Sequence, residues 1–325
     1  MFAIRRLLAA AALGVLAVAS ALSPAAAQNW PQRAVKFIVP LGAGSGVDIG
    51  TRLFADKLSK RWNQPGVVEN RPGGDALVAI NSFVSADDDH VLLASPSSSF
   101  THHPHVYKSL SYKPSDLQPI ARVSNTILVV AVPANLPVKS MADLAAMAKA
   151  EPGKLNWAGT TGAVDFVFAS FLKSAGLDMT KVPYRNPVEA SNDLAAERIQ
   201  VYAAALAIVR PQLQAGKIKL IAVTNTTRAP THPELPTVKE AGFPDLTFDG
   251  LVGFFGPASM SKELREHIAH DVREVGTSDP NIEKQLTLTG QSFNLGGPAE
   301  FAAAIDDQRA RMAAAAKLLG IVPTQ

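Results

Sequence analysis

The chain has 325 residues, 47% of them apolar and 18% charged, with a formal charge of +3 and no cysteine. The missing thiols exclude disulfides, thiolate metal sites, a cysteine nucleophile and a lipid-anchored N-terminal cysteine. The lack of any long basic run argues against a nucleic-acid partner, and the length suffices for two lobes with sizeable cores.

The first segment reads as a targeting signal. Arg5 and Arg6 precede an apolar run over 7–22, and Ala25-Ala26-Ala27 supplies an A-x-A cleavage site. The other reading, a membrane anchor, is disfavoured because the run is short for a span, which needs about 20 residues. Cleavage near Ala27 leaves a soluble, exported, periplasmic chain whose formal charge falls to +1.

Apolar runs then alternate with helical patterns. A strand is expected over 35–39 and a helix over 48–62, where Ile49, Leu53, Leu58 and Trp62 keep helical spacing. A short strand over 67–69 and the turn Asn70-Arg71-Pro72-Gly73-Gly74 lead to a helix over 75–85 and a strand over 91–94. A strongly β segment follows over 127–132. Ser140 and Asp143 form a capping box for a helix to Ala150. Strands over 155–158, 181–184, 200–204 and 220–223 alternate with helices over 164–175, 187–196 and 208–215. Thr237 and Glu240 make another capping box. A last strand over 246–255 precedes helices over 261–275, 280–288 and 298–319. The alternation predicts an α/β fold of two lobes, with parallel sheets and a cleft between them.

The stretch "FIVPLGAGSGVDIG" places Gly44, Ser45 and Gly46 between a strand and a helix. It fails the dinucleotide pattern by one residue, because Val47 stands where the third glycine belongs. It lacks the lysine of a phosphate loop. It also lacks the glycine two residues before the serine that a hydrolase elbow requires. What remains is a strand-to-helix loop whose amides and helix dipole favour a small anion, with a carboxylate as the natural candidate. The plain alternative is a turn that only fits the helix to the sheet. "LNWAGTTGAVDFVFASFLK" repeats the arrangement: Thr160, Thr161, Gly162 and Ala163 lie at a second helix mouth, where either threonine can equally be an N-cap.

Taken together, several stretches carry a resemblance. They are "PLGAGSGVD", "VVENRPGGDA", "VPYRNPVEASNDL", "PQLQAGKIKLIAVTNTTRAPTHPELPTVKEAGFP" and "GFFGPASMS". With them the chain resembles the Bug-type periplasmic solute-binding proteins of tripartite tricarboxylate transporters, over nearly its whole mature length. The resemblance implies the type II periplasmic binding protein fold. It implies a small carboxylate held between two loops, partly through water and without an obligatory arginine. It also implies two integral membrane transporter subunits as partners. The expected division is a signal peptide over 1–27, lobe 1 over 28–126 and 251–325, and lobe 2 over 127–250. A monomer is expected, with no enzymatic activity, no cofactor and no metal.

Departures from the family pattern suggest the ligand. Ser45 replaces the second glycine of a pair, Phe166 and Ser170 stand where a histidine and a glutamate are frequent, and Ala204-Ala205 lies where a polar residue is common. These changes make the cleft less polar and favour an aromatic or medium-chain dicarboxylate ligand over citrate.

Other candidates come from position. Ser95 and Ser97 follow a strand end and are expected to face the cleft, unless they only cap. Arg185 is either a partner for a second carboxylate or a surface charge. Asp249 is placed on a late strand within reach of the cleft. Asp48 is expected to tie down the first loop by bonding amides of its own helix. His102, His103 and His105 are expected to form a solvent-exposed cluster, and Asp87-Asp88-Asp89 a solvated turn. Two alternatives to a transport receptor stay open at this level: an exported serine hydrolase using Ser45 or a loop serine with one of the histidines, and the ligand-binding partner of a sensor.

Overall fold

The computed structural model describes residues 30–160 and 162–324. The expected signal peptide over 1–27 and the candidate Thr161 lie outside the described residues.

Two sheets organise the chain. The first begins with β1 (Val35–Val39), α1 (Gly46–Trp62), β2 (Gly66–Asn70), α2 (Leu77–Ala86) and β3 (Val91–Pro96). A short α3 (His103–Val106) leads to β4 (Gln118–Thr126). The chain then builds the second sheet from β5 (Leu128–Pro133), α4 (Met141–Ala150), β6 (Asn156–Gly159), α5 (Ala163–Ser174), β7 (Thr180–Lys181), α6 (Pro187–Ala195), β8 (Val201–Ala205), α7 (Leu206–Gln214) and β9 (Ile218–Val223). It returns to the first sheet with β10 (Gly250–Gly256), α8 (Lys262–Ser278), α9 (Pro280–Leu288) and β11 (Gln291–Gly296), and ends in α10 (Pro298–Leu319). The strand orders are β11-β4-β10-β3-β1-β2 and β7-β6-β8-β5-β9.

The sheets are mixed, which corrects the expectation of parallel ones. β1 pairs parallel with β2 and β3, but β10 runs antiparallel to both β3 and β4. In the second sheet β6 is parallel to β7 and β8, while β5 is antiparallel to β8 and β9. Two of the reversed strands, β10 and β5, enter each sheet directly from the other without a crossover helix to turn them, and β11 likewise runs antiparallel to β4.

Strand periodicity places the cores. In β5, Leu128, Val130 and Val132 face α4, α5 and the end of α10, while Val129 and Ala131 face α6 and α7. Both faces are buried, so the strand reads as an unbroken apolar run. In β10, Val252 and Phe254 join the core beneath α1, α8 and α9, whereas Leu251 and Phe255 join the core beneath α2 and the first half of α10. Gly253 leaves room there for the Phe301 ring. Each such phenylalanine contributes about 1.5–3 kcal/mol on burial.

Helix ends follow local chemistry. Ser45, Ser140 and Ser261 each accept a hydrogen bond from the amide three residues on, at 3.1–3.2 Å. The Thr237–Glu240 box forms its reciprocal bonds, with the Glu240 carboxylate accepting from the Thr237 amide at 2.8 Å, but it closes only a turn. No helix among the described residues is long and apolar enough to cross a membrane.

Candidate functional site

Strand directions alone bring the loops together. β1 and β3 run parallel, and β4 runs the same way because β10 is antiparallel to both β3 and β4. Their C-terminal ends therefore share the edge where the chain passes from Thr126 to Leu128. In the second sheet Leu128 lies opposite Ala205, the last residue of β8, and β6 is parallel to β8. The loops after β1 and β3 thus face those after β6 and β8 across one crossing. Ligands of open α/β sheets bind outside such carboxyl ends.

The first mouth is held open by its own hydrogen bonds. The Gly44 amide donates to Asp48 Oδ2 at 2.9 Å, and the Asp48 amide donates to Ser45 Oγ at 3.2 Å. Asp48 Oδ1 accepts from Arg52 Nε at 3.0 Å and from Asn70 Nδ2 at 2.9 Å. Asn70 also donates to the Leu41 carbonyl. Asp48 is buried, and its carboxylate grips the loop amide of Gly44; amides of its own helix are left to the serine, which corrects the expected arrangement. Burial alone would raise its carboxyl, but the bonds from Arg52, Gly44 and Asn70 together hold it below the usual range. Gly44 needs glycine because its φ is +82°, and a Cβ at Gly42 or Gly44 would meet open space. Gly46 is tight instead, with Gln291 Nε2 2.9 Å from where its Cβ would stand. Among the described residues the Gly46 and Val47 amides, at the first two helical positions, meet no protein acceptor.

The second mouth is narrower. Thr160 keeps its amide on the Ala203 carbonyl at 2.9 Å, which extends the strand pairing beyond β6. Gly162 precedes α5 with φ +87°, and a Cβ there would lie 3.3 Å from His102 Cε1 and 3.4 Å from the Ser98 carbonyl oxygen. The loop after β3 therefore touches the mouth of α5, and Phe166 packs beside the His102 ring with centroids 6.2 Å apart. Ala163 is fully buried. Asp165, in the first turn of α5, is paired with Lys181. Ala205 is half-buried at the start of α7 and offers no side-chain cap, and the Leu206 amide is taken by the Ile127 carbonyl.

Several candidates serve other ends. Ser95 and Ser97 are fully buried: Ser95 Oγ donates to the Pro96 carbonyl at 3.0 Å, and Ser97 Oγ donates to Gln308 Oε1. They fasten the strand end and α10 instead of presenting hydroxyls to the cleft. Asp249 accepts from Asn225 Nδ2, from the Thr226 amide and from Thr226 Oγ1, so its carboxylate is occupied in the crossing segment. Arg185 is exposed and has no ion pair among the described residues.

The histidines correct the expectation of an exposed cluster. His102 and His103 are 3% and 0% exposed, and only His105 is partly accessible. His102 Nε2 lies 2.7 Å from Asp75 Oδ2, and His103 Nδ1 lies 2.7 Å from the Tyr112 hydroxyl. Among the described residues no histidine bonds Ser45, so the paired nucleophile and base of a serine hydrolase are not assembled there. Reasoning from sequence missed Asp75, Asn70, Asn225 and Gln308. The one usable signal was the polar cluster Asn225-Thr226 placed directly after an apolar strand.

A family model described as "Tripartite tricarboxylate transporter family receptor" matches residues 51–321. A UPF0065 protein of Bordetella bronchiseptica is 28% identical, covering 91% of this chain and 89% of its own. Protein BugT of Bordetella pertussis is 25% identical, covering 84% and 86%. Among solved structures, R. palustris Rpa4515 with adipate superposes with a TM-score of 0.77 at 27% identity, covering 91% of this chain and all of that one (100%). The periplasmic binding protein BugD, at 24% identity and a TM-score of 0.73, shares the fold.

Proposed function

We propose, from the premise that the chain belongs to the tripartite tricarboxylate transporter receptor family, that it is an exported receptor capturing a medium-chain dicarboxylate or an aromatic carboxylate in preference to citrate. Members of this family are solute-binding receptors and not enzymes. The observation that carries the reading is the convergence of the loops after β1, β3, β6 and β8 on one crossing, with the Gly46 and Val47 amides lacking acceptors among the described residues. One carboxylate of the ligand sits at the mouth of α1, where Ser45, Gly46 and the helix dipole receive it. The far half lies against Gly162, Phe166 and Ala205, a lining poor in the donors that a third carboxylate needs. Thr160 and Arg185 border that half. The adipate in Rpa4515 supports a linear diacid.

Three or four charge-assisted hydrogen bonds at about 1.5–3 kcal/mol each, together with burial of the ligand's apolar half, supply the about 8 kcal/mol net that micromolar capture needs after ordering costs. The loaded chain, as a monomer of two lobes (28–126 with 251–325, and 127–250), delivers its ligand to the two integral subunits of the transporter.

Calorimetry of the mature chain with adipate, benzoate and citrate tests the preference. Adipate or benzoate should bind at least about tenfold more tightly than citrate, a difference of about 1.4 kcal/mol. Citrate binding more tightly than both removes the proposal.

A further inference from the structure

The geometry points to a site for a divalent transition metal of the zinc class, formed by Asp75, His102 and His103 on the wall of the cleft. Their ligand atoms all lie within 4.8 Å of one another. His102 Nε2 is 2.7 Å from Asp75 Oδ2, and His103 Nε2 is 3.4 Å from the same oxygen. The edges of a tetrahedron with bonds of about 2.0–2.1 Å are about 3.3 Å long. Of the three edges, one is therefore already in place, a second needs to open by roughly 0.6 Å, a rotation of one carboxylate, and the third, between the two imidazoles, lies within 4.8 Å and closes with their rings.

The outer contacts fit the same reading. His102 Nδ1 lies 3.2 Å from the Ser98 carbonyl, and His103 Nδ1 lies 2.7 Å from the Tyr112 hydroxyl. A metal-bound histidine characteristically donates its second ring N–H to such an oxygen, which fixes the tautomer and leaves Nε2 as a lone pair. With Nδ1 protonated toward Ser98, His102 Nε2 meets the Asp75 oxygen either as the second N–H of an imidazolium or, once that proton is displaced, through a metal ion, and the second imidazole turned toward the same oxygen supplies the further nitrogen that a metal takes. His103 Nε2 also lies 2.9 Å from the Asp75 carbonyl, a contact that metal binding would exchange. Two nitrogens and one oxygen favour zinc, cobalt, nickel or copper over magnesium and calcium, which take oxygen ligands. Asp75 is about one-third exposed, so a fourth position opens to solvent.

A second group of similar composition, Asp88, Asp89 and His90, lacks these features. Both Asp88 oxygens are taken by Arg33 at 2.7 and 2.8 Å, and His90 Nε2 accepts the Gln32 amide. Because the His102 ring touches Gly162 and Phe166, a metal at the first cluster would stiffen the seam between the two sheets without being a ligand contact. The inference stands apart from the carboxylate reading.

Tag-free mature protein, stripped with a chelator, is titrated with zinc chloride by calorimetry and with cobalt chloride by visible absorption, in the absence of any organic acid. One saturable zinc per chain is expected. Asp75→Asn and His102→Gln should each weaken it by more than the roughly 10–100-fold that loss of an outer contact costs, and Tyr112→Phe by about that amount. His90→Gln and His105→Gln should leave it unchanged. Far-ultraviolet dichroism establishes that each variant is folded, and adipate titration of the same samples reports the cleft separately. The inference is overturned if the unaltered chain shows no saturable zinc binding, if Asp75→Asn and His102→Gln keep it, or if only His90→Gln loses it.

Discussion

Asp48 decides whether the first loop has a shape. Its buried carboxylate accepts from Gly44, Arg52 and Asn70, three donors that converge on two oxygens. Asp48→Asn would point an amide N–H₂ at groups that are themselves donors, so a loss of about 1–3 kcal/mol is expected, read from the urea midpoint. The sign of the pH effect follows from the depressed carboxyl. Its contribution is fully present above the unfolded value near 3.9 and is lost as pH falls through the lower folded value. The gap between parent and variant should accordingly be constant from pH 8 to about pH 5 and close below about pH 4. A gap that widens on acidification would contradict this role. Asp48 was recognisable in the sequence because it stands three residues after a serine at a strand-to-helix turn. Its partner Asn70 was not, because it comes from the end of a neighbouring strand and only the parallel pairing of β1 with β2 brings it near.

Among the elements, α10 has the widest reach. Phe301 and Ile305 are buried with the first sheet, and Met312, Ala315 and Ala316 with the second. Gln308 stands between them, accepting from Ser97 and donating to the Asp249 carbonyl at 2.5 Å. The helix thus belongs to both cores, although its sequence suggested only the first. Met312→Ala should lower stability by about 2–5 kcal/mol through the cavity it leaves, with a single unfolding transition by dichroism and fluorescence. Two separated transitions would show that α10 does not couple the cores. Helices with caps and apolar periodicity, such as α1, α4 and α9, were legible to within two residues. β4 and β11 were not read as strands at all. "QPIARVSNT" carries Pro119, Arg122, Ser124 and Asn125, and "QSFNLG" is short and polar. Neither shows the apolar run of a buried strand, because their polar residues bond across the sheet, as Ser124 does to Gln291.

Across the whole molecule, three connections join the sheets: Thr126 to Leu128, the segment from β9 to β10, and α10. Asn225 binds the first two together, accepting from the Leu128 amide at 2.8 Å and donating to the Thr126 carbonyl at 3.0 Å. The cleft is therefore bounded on one side by a stitched crossing and lined on its walls by strand-end loops, an arrangement suited to closing on a small anion. The central claim is that helix mouths from both sheets hold one carboxylate ligand. Amide chemical shifts of isotope-labelled mature protein, followed as adipate is added, test it most directly. The amides of Gly46 and Val47 should move together with those of Gly162 and Ala163, along one saturation curve. Movement confined to one mouth, or none in either while the ligand binds, would contradict the account.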